Sequence, residues 1–157
     1  RSRGLGDVYK RQLQEETVLN WWHMISCFIH EEVSNIDEFC LKLKIPSEYK
    51  DLANLLNQSK ASIEEYEPVT DSHEQLIGIV KKLDIRKKDR LKNFFEVCTN
   101  DGTKSKVDFF QSFIKKLNQF RLEEEDRKKS NDEIKKVIEH SHRILAQDHI
   151  REYLDNQ

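Results

Sequence analysis

Apolar positions recur along this chain at spacings of three and four, the period of an amphipathic helix. Between His30 and Lys44 they fall at Val33, Ile36, Phe39, Cys40 and Leu43, which predicts one helix over that span. Ile45-Pro46 stops it, because proline lacks an N–H and clashes with the preceding turn. Ser47 is placed to cap the next helix, whose apolar side is Tyr49, Leu52, Ala53, Leu55 and Leu56. That helix is expected to fade near Asn57, with a short one after Ser62-x-x-Glu65 that meets Pro68 within two turns.

Upstream, Glu15–Phe28 predicts a helix with Val18, Leu19, Trp22, Ile25 and Phe28 inward. Ser72-His-Glu-Gln75 has the spacing of a capping box and opens a helix carrying Leu76, Ile79, Val80 and Leu83. Asp84–Cys98 follows with Leu91, Phe94, Phe95, Val97 and Cys98 inward, and Asn100-Asp-Gly102 supplies turn residues. Lys106–Phe120 has the cleanest stripe, Val107, Phe110, Ile114 and Leu117, flanked by Phe109, Phe113 and Phe120. Six of the eight phenylalanines lie between Phe94 and Phe120, so the densest core is expected there. Glu123–Lys129 offers three opposite-charge pairs at i,i+4, which predicts an exposed helical extension. A further capping box, Ser130-Asn-Asp-Glu133, starts a last helix with Ile134, Val137, Ile138, Ile144, Leu145, Ile150, Tyr153 and Leu154. No strand pattern competes, and four glycines and two prolines are too few for an all-β chain of 157 residues. The expected fold is all-α, an irregular bundle of about six to eight amphipathic helices.

Charge sharpens this picture. Arg1–Gln12 contains DVYKRQ and looks like a translated transposon end from a sequencing library, so it is set aside as non-native. The full chain has 27 Lys and Arg against 29 Asp and Glu. Without the four cations and one aspartate of residues 1–12 the balance is 23 against 28. A whole-surface attraction for nucleic acid is therefore not indicated, and any RNA contact has to come from local patches. Three widely spaced cysteines, Cys27, Cys40 and Cys98, fit a reducing cytoplasm better than a disulfide framework. No stretch has the length of a membrane span.

Six histidines invite a metal reading, which the spacing does not support. His140 and His142 point to different helix faces, and His142 and His149 stand about 10 Å apart along the axis. No phosphate-binding glycine loop or paired aspartates for two-metal chemistry is visible, so no catalytic and no metal-binding residue is named. Cys98, on an apolar face, is expected in the core. The most concentrated positive run is Lys81, Lys82, Arg86, Lys87, Lys88 and Arg90, with Lys104 and Lys106 as an extension. These eight are the candidate RNA-phosphate contacts, the plain alternative being a solvated surface between helices. No base-reading module is evident, so recognition of a folded RNA by shape and backbone is the expected mode, with no DNA partner.

Three stretches carry a resemblance. HEEVSNIDEFCLKLKIPSEYKDLANLL, residues 30–56, resembles "GHE…IKEFCERLKIPNEYRDLALLV". QLIGIVKKLDIRKKDRLKNFFEVC, residues 75–98, is similar to "TLLKLFKKLDAFRKPERLEKFLLAC", with one residue dropped after Ile85 and Lys88 in place of proline. Asp132–Ile150 resembles "GxEIxxxIxxxRIxAI", with Ile134, Ile138, Arg143 and Ile144 in register. All three strings belong to the body and tail of bacterial CCA-adding tRNA nucleotidyltransferases. The family's "EADARGR" is not kept at Thr99–Ser105, where only the aspartate remains. The resemblance implies a helical body over 13–101 and a helical tail over 102–157 that hold the acceptor and T arms of tRNA. It implies a separate N-terminal catalytic head, missing here, that uses Mg with CTP and ATP; no cofactor is expected on this chain itself. The family's body is HD-like, but His23 is followed by Met24 instead of aspartate, and Ile29 replaces the glycine before His30-Glu31. Two other readings remain: a helical protein–protein interaction module, and a degenerate HD-type phosphohydrolase.

Overall fold

The computed structural model describes residues 25–156 apart from Glu31, and every described element is helical. Most of the helix expected over Glu15–Phe28, with Trp22, His23 and Met24, lies outside the described residues. The chain divides into two compact units, 1–58 and 59–157, and the division falls inside one helix.

In the first unit the described part of α1 is residues 25–30. The helix expected over His30–Lys44 is broken at 33–35, and α2 is Ile36–Lys42. The break has a local cause: the Asn35 side chain accepts a hydrogen bond from the Glu38 amide and caps α2. α2 then ends in a Schellman turn. The Ile45 N–H donates to the Cys40 carbonyl at 2.9 Å, and the Lys44 N–H donates to that of Leu41 at 3.3 Å. Lys44 sits at φ 53°, the left-handed region where glycine is normally preferred. Ile45 folds back onto Ile29, Ile36, Cys40 and Ala53, completing the apolar contact that usually accompanies this turn. Leu43, expected inside, is exposed.

α3 runs unbroken over Ser47–Glu65, where a stop near Asn57 and a separate short helix were expected. Ser47 is its first residue and not its cap; the Pro46 carbonyl before it accepts from the amides of Tyr49 and Lys50. The polar stretch Asn57–Lys60 contains no glycine or proline, so nothing breaks the ladder. Ser59, only 1 % exposed, continues the buried stripe of Leu52, Leu56 and Ile63.

The second unit holds α4 (His73–Leu83), α5 (Lys88–Cys98), α6 (Lys104–Gln119) and α7 (Asn131–Asp155). Both expected capping boxes are present, at Ser72 with Gln75 and at Ser130 with Glu133. α4 ends at Asp84, left-handed at φ 48°, so α5 starts four residues later than the sequence pattern suggests. Asn100 Oδ1 accepts from the amides of Gly102 and Thr103, building the turn before α6. α6 buries Val107, Phe109, Phe110, Phe113 and Ile114. Tyr66 stacks on Phe109 and meets Phe110 edge-on, at centroid distances of 5.9 and 5.4 Å. Burial pushes the Tyr66 hydroxyl up to about 12. Glu123–Lys129 does not extend a helix: it forms a single 3-10 turn, Asp126–Lys128. Lys129 pairs with Asp126 and Arg127 donates to the Leu122 carbonyl, so the i,i+4 pairs do not form. Exposed pairs of that kind are worth only a few tenths of a kcal/mol, too little to nucleate a helix.

Two outcomes follow for stability, both read by urea unfolding. Lys44→Gly should stabilise the chain by about 1 kcal/mol, because it relieves the left-handed residue of the Schellman turn. Ser72→Ala should cost about 1 kcal/mol by removing one half of a capping box.

Candidate nucleic-acid interface

α4 presents its buried side, Leu76, Val80 and Leu83, to the core of the second unit. Its neighbouring face carries Glu74, Ile77, Gly78 and Lys81, spaced at three and four. α7 is the main partner of α4, and presents Glu139, His142 and Arg143 at the same spacing. The two faces line a cleft of about 300 Å³. A Gln147 side-chain amide nitrogen lies 3.4 Å from His73 Nε2, tying the start of α4 to α7. His142 is half-buried, and its ring meets Phe120 edge-on at 5.7 Å. Burial, and then the nearby Lys81 cation, hold the His142 imidazole below its ordinary pKa.

The eight predicted phosphate contacts do not share this cleft. Lys81 lines it, whereas Lys82, about 100° further round the helix, lines a second cleft with Ser62, Glu65, Tyr66 and Asp71. Arg86 forks onto Asp84, with Nε to Oδ1 at 2.7 Å and a terminal nitrogen to Oδ2 at 3.2 Å. That hydrogen bond holds the Asp84 carboxyl below the usual carboxylate range. Arg90 donates to the Leu83 carbonyl at 2.8 Å and closes the end of α4. Lys106 reaches across to the Glu64 carbonyl and the Glu67 carboxylate. Lys87 and Lys88 are exposed at the start of α5, and Lys104 lines a third cleft between the start of α6 and the end of α7. Lys81 is thus the one predicted contact in the α4–α7 cleft. His142, Arg143, Glu74 and Glu139 were not among the predicted contacts. The signal for them was present, since two helical faces spaced at three and four each combine charged groups of both signs.

α7 is held in place by a buried histidine. The His149 ring is 5 % exposed and packs on Phe109 and Phe113 at 4.5 and 5.4 Å. Its Nε2 lies 2.9 Å from the Phe109 carbonyl oxygen, so Nε2 carries the hydrogen and donates it. Nδ1 is then a buried acceptor with no partner. Burial is the largest influence on this group, and it pushes the imidazole below its ordinary value. Lys116 on α6 pairs with Glu152 on α7 beside it, which holds that carboxyl low.

Among the described residues no group of three or more His, Cys, Asp or Glu side chains is arranged to hold a metal ion. Of the HD-like positions, His23, Met24 and Glu31 lie outside the described residues. None of Cys27, Cys40 and Cys98 forms a disulfide, and Cys98 is in the core as expected. No helix among the described residues is long and apolar enough to cross a membrane. No protein-family model, curated protein or solved structure matches the chain.

The histidines set the response to acid. His149 and His142 take up protons less readily folded than unfolded, so below about pH 6.5 the unfolded chain binds more protons. Their contribution to stability is full above pH 6.5 and is lost as the pH falls towards their folded values. Thermal melts should therefore drop between pH 7 and pH 5, and His149→Phe should flatten that part of the profile.

Proposed function

We propose that this chain is the RNA-holding, non-catalytic part of a CCA-adding type of tRNA nucleotidyltransferase, acting in the cytoplasm beside a separate catalytic head. The observation that carries the reading is the α4–α7 cleft. It joins Lys81, from the segment resembling the family's body, to Arg143, the arginine in register with the family's tail. Two stretches 62 positions apart in sequence, each singled out by a different resemblance, supply the cations of one concave surface. The Schellman turn at Lys44 supports the first resemblance too, because the chain reverses where the LKIP string predicts a stop.

The partner would be the acceptor and T arms of tRNA. Electrostatic contact with a few phosphates gives salt-sensitive binding without base reading. Local cations suffice for this even on a chain of net negative charge, because screening confines their effect to about 10 Å. The acidic surface elsewhere then disfavours indiscriminate RNA binding. The cations tied to Asp84, Leu83, Glu64 and Glu67 serve the fold, and the RNA contact in this cleft narrows to Lys81 and Arg143.

A second reading has its own observation. Leu41, Leu43 and Phe28 in the first unit are 80, 60 and 56 % exposed. Exposed apolar side chains of this kind suit a protein–protein contact, and strong self-association on sizing would favour it.

Filter binding tests the first reading. The chain should retain tRNA better than an unrelated RNA of equal length, and affinity should fall steeply with salt. It should add no nucleotide from CTP or ATP. Lys81→Gln with Arg143→Gln should weaken tRNA binding about tenfold and make the salt slope shallower by about one to two. Equal retention of both RNAs would sink the assignment.

A further inference from the structure

The α4–α7 cleft has one wall that the fold does not explain. Gly78 stands in the middle of an 11-residue helix, where glycine is the least favoured residue after proline. Its φ is not positive, and a Cβ added there would meet nothing within 4 Å. Neither backbone conformation nor packing requires glycine. What the missing side chain does is keep the α4 wall at backbone level, beside Lys81 and across from α7.

The groups around that opening are balanced in charge: Glu74 and Glu139 against Lys81 and Arg143. A bare polyanion gains nothing from the two carboxylates. A ligand that offers a hydrogen-bond donor at one end and an anion at the other satisfies all four. His142 lines the same opening, its ring held by the steep contact with Phe120 at 5.7 Å. Aromatic faces of this kind, histidine included, take unstacked RNA bases. A cleft of about 300 Å³ is at the small end of ligand sites and suits one nucleotide, not a duplex.

We propose that this cleft receives a single unstacked nucleotide whose base carries an exocyclic amino group, a cytidine, an adenosine or a guanosine of the bound RNA. The base lies against His142 over the Gly78 backbone. Its amino group donates to Glu74 or Glu139, as carboxylates accept from cytosine in other complexes. The adjoining phosphate lies on Lys81 and Arg143. Uracil lacks the amino donor and offers the carboxylates only its single N3–H. The inference rests on the RNA-holding reading, since it names which part of the RNA the cleft takes.

Two measurements test it separately from that reading. The ring resonances of His142, assigned by difference from His142→Gln, are followed while CMP, AMP or UMP is added to the whole chain. CMP and AMP should shift them with saturation, and UMP should bind about tenfold more weakly. In the second measurement Gly78→Leu, which favours the helix and fills the opening, should weaken tRNA binding about tenfold with an unchanged salt slope. Equal shifts from UMP, or tRNA binding undiminished in Gly78→Leu, would overturn the nucleotide assignment. Discrimination among mononucleotides without any preference for tRNA would leave the cleft standing and remove the tRNA reading. tRNA binding without discrimination would do the reverse.

Discussion

The second unit depends on the burial of one helix face. α6 places Val107, Phe109, Phe110, Phe113 and Ile114 inside, and each large aromatic side chain removes roughly 150–250 Å² from water. No other described helix of this unit concentrates as much apolar area in so few residues. The other elements are placed by what they lay on it: Tyr66 from beyond α3, and His149 and Tyr153 from α7. A buried directional bond in this packing runs from His149 Nε2 to the Phe109 carbonyl, and nearer the surface Lys116 pairs with Glu152 and the Ser105 and Tyr153 hydroxyls lie 3.4 Å apart. Phe109 is inside α6, so its carbonyl already belongs to a helical ladder, and its second lone pair accepts from α7. That bond fixes the height and rotation of α7 on α6. Two turns earlier on the same helix lie His142 and Arg143, so the same constraint sets how they face α4.

A buried histidine at this point is costly in one respect and useful in another. A leucine would pack there with no unpartnered nitrogen. The histidine gives up a satisfied Nδ1, a penalty of about 1–3 kcal/mol, and gains a bond with a defined direction. Hydrophobic contacts alone leave a long helix free to slide or rotate by small amounts, because dispersion has little orientation dependence. α7 spans 25 residues and Ala146 and His149 are its only fully buried side chains among those described. A helix with so thin a buried stripe needs the polar pin more than α6 does.

Local signals in the sequence agree with the structure where a side chain acts on its own neighbours. Ser72 with Gln75 and Ser130 with Glu133 each satisfy two amides within four residues, and the Asn100–Gly102 turn closes on one side-chain oxygen. Nothing distant can reverse such an arrangement cheaply. The segments where pattern and structure differ share the opposite property. Asn57–Lys60 looks like a stop because it is polar, yet helix continuity depends on backbone geometry and on Ile63 reaching the core ahead. Glu123–Lys129 looks like a helix because its charges pair, yet no apolar stripe anchors it and the pairs are too weak alone. The break at 33–35 was hidden by a continuous apolar period, and only the Asn35 cap betrays it. The candidate site was half legible for the same reason. Lys81 was visible in a run of cations, while Arg143 became its neighbour only through the docking of α7.

The dispersal of the cations has a physical logic. A helix turns 100° per residue, so a continuous run such as Lys81-Lys82 can never present one surface. Adjacent charges must diverge, and here they face different clefts. Those near chain reversals are also the ones most easily drawn into structure. Arg90 finds the bare carbonyls at the end of α4, and Arg86 finds the one carboxylate forced outward by a left-handed residue. A run of positive charge at a helix junction therefore overstates the surface available to an anion. Groups spaced at three and four on two packed helices understate it, since each helix contributes a column and the columns meet only after folding. The cleft between α4 and α7 is of the second kind, and for that reason it carries more of the functional argument than the denser run of cations beside it.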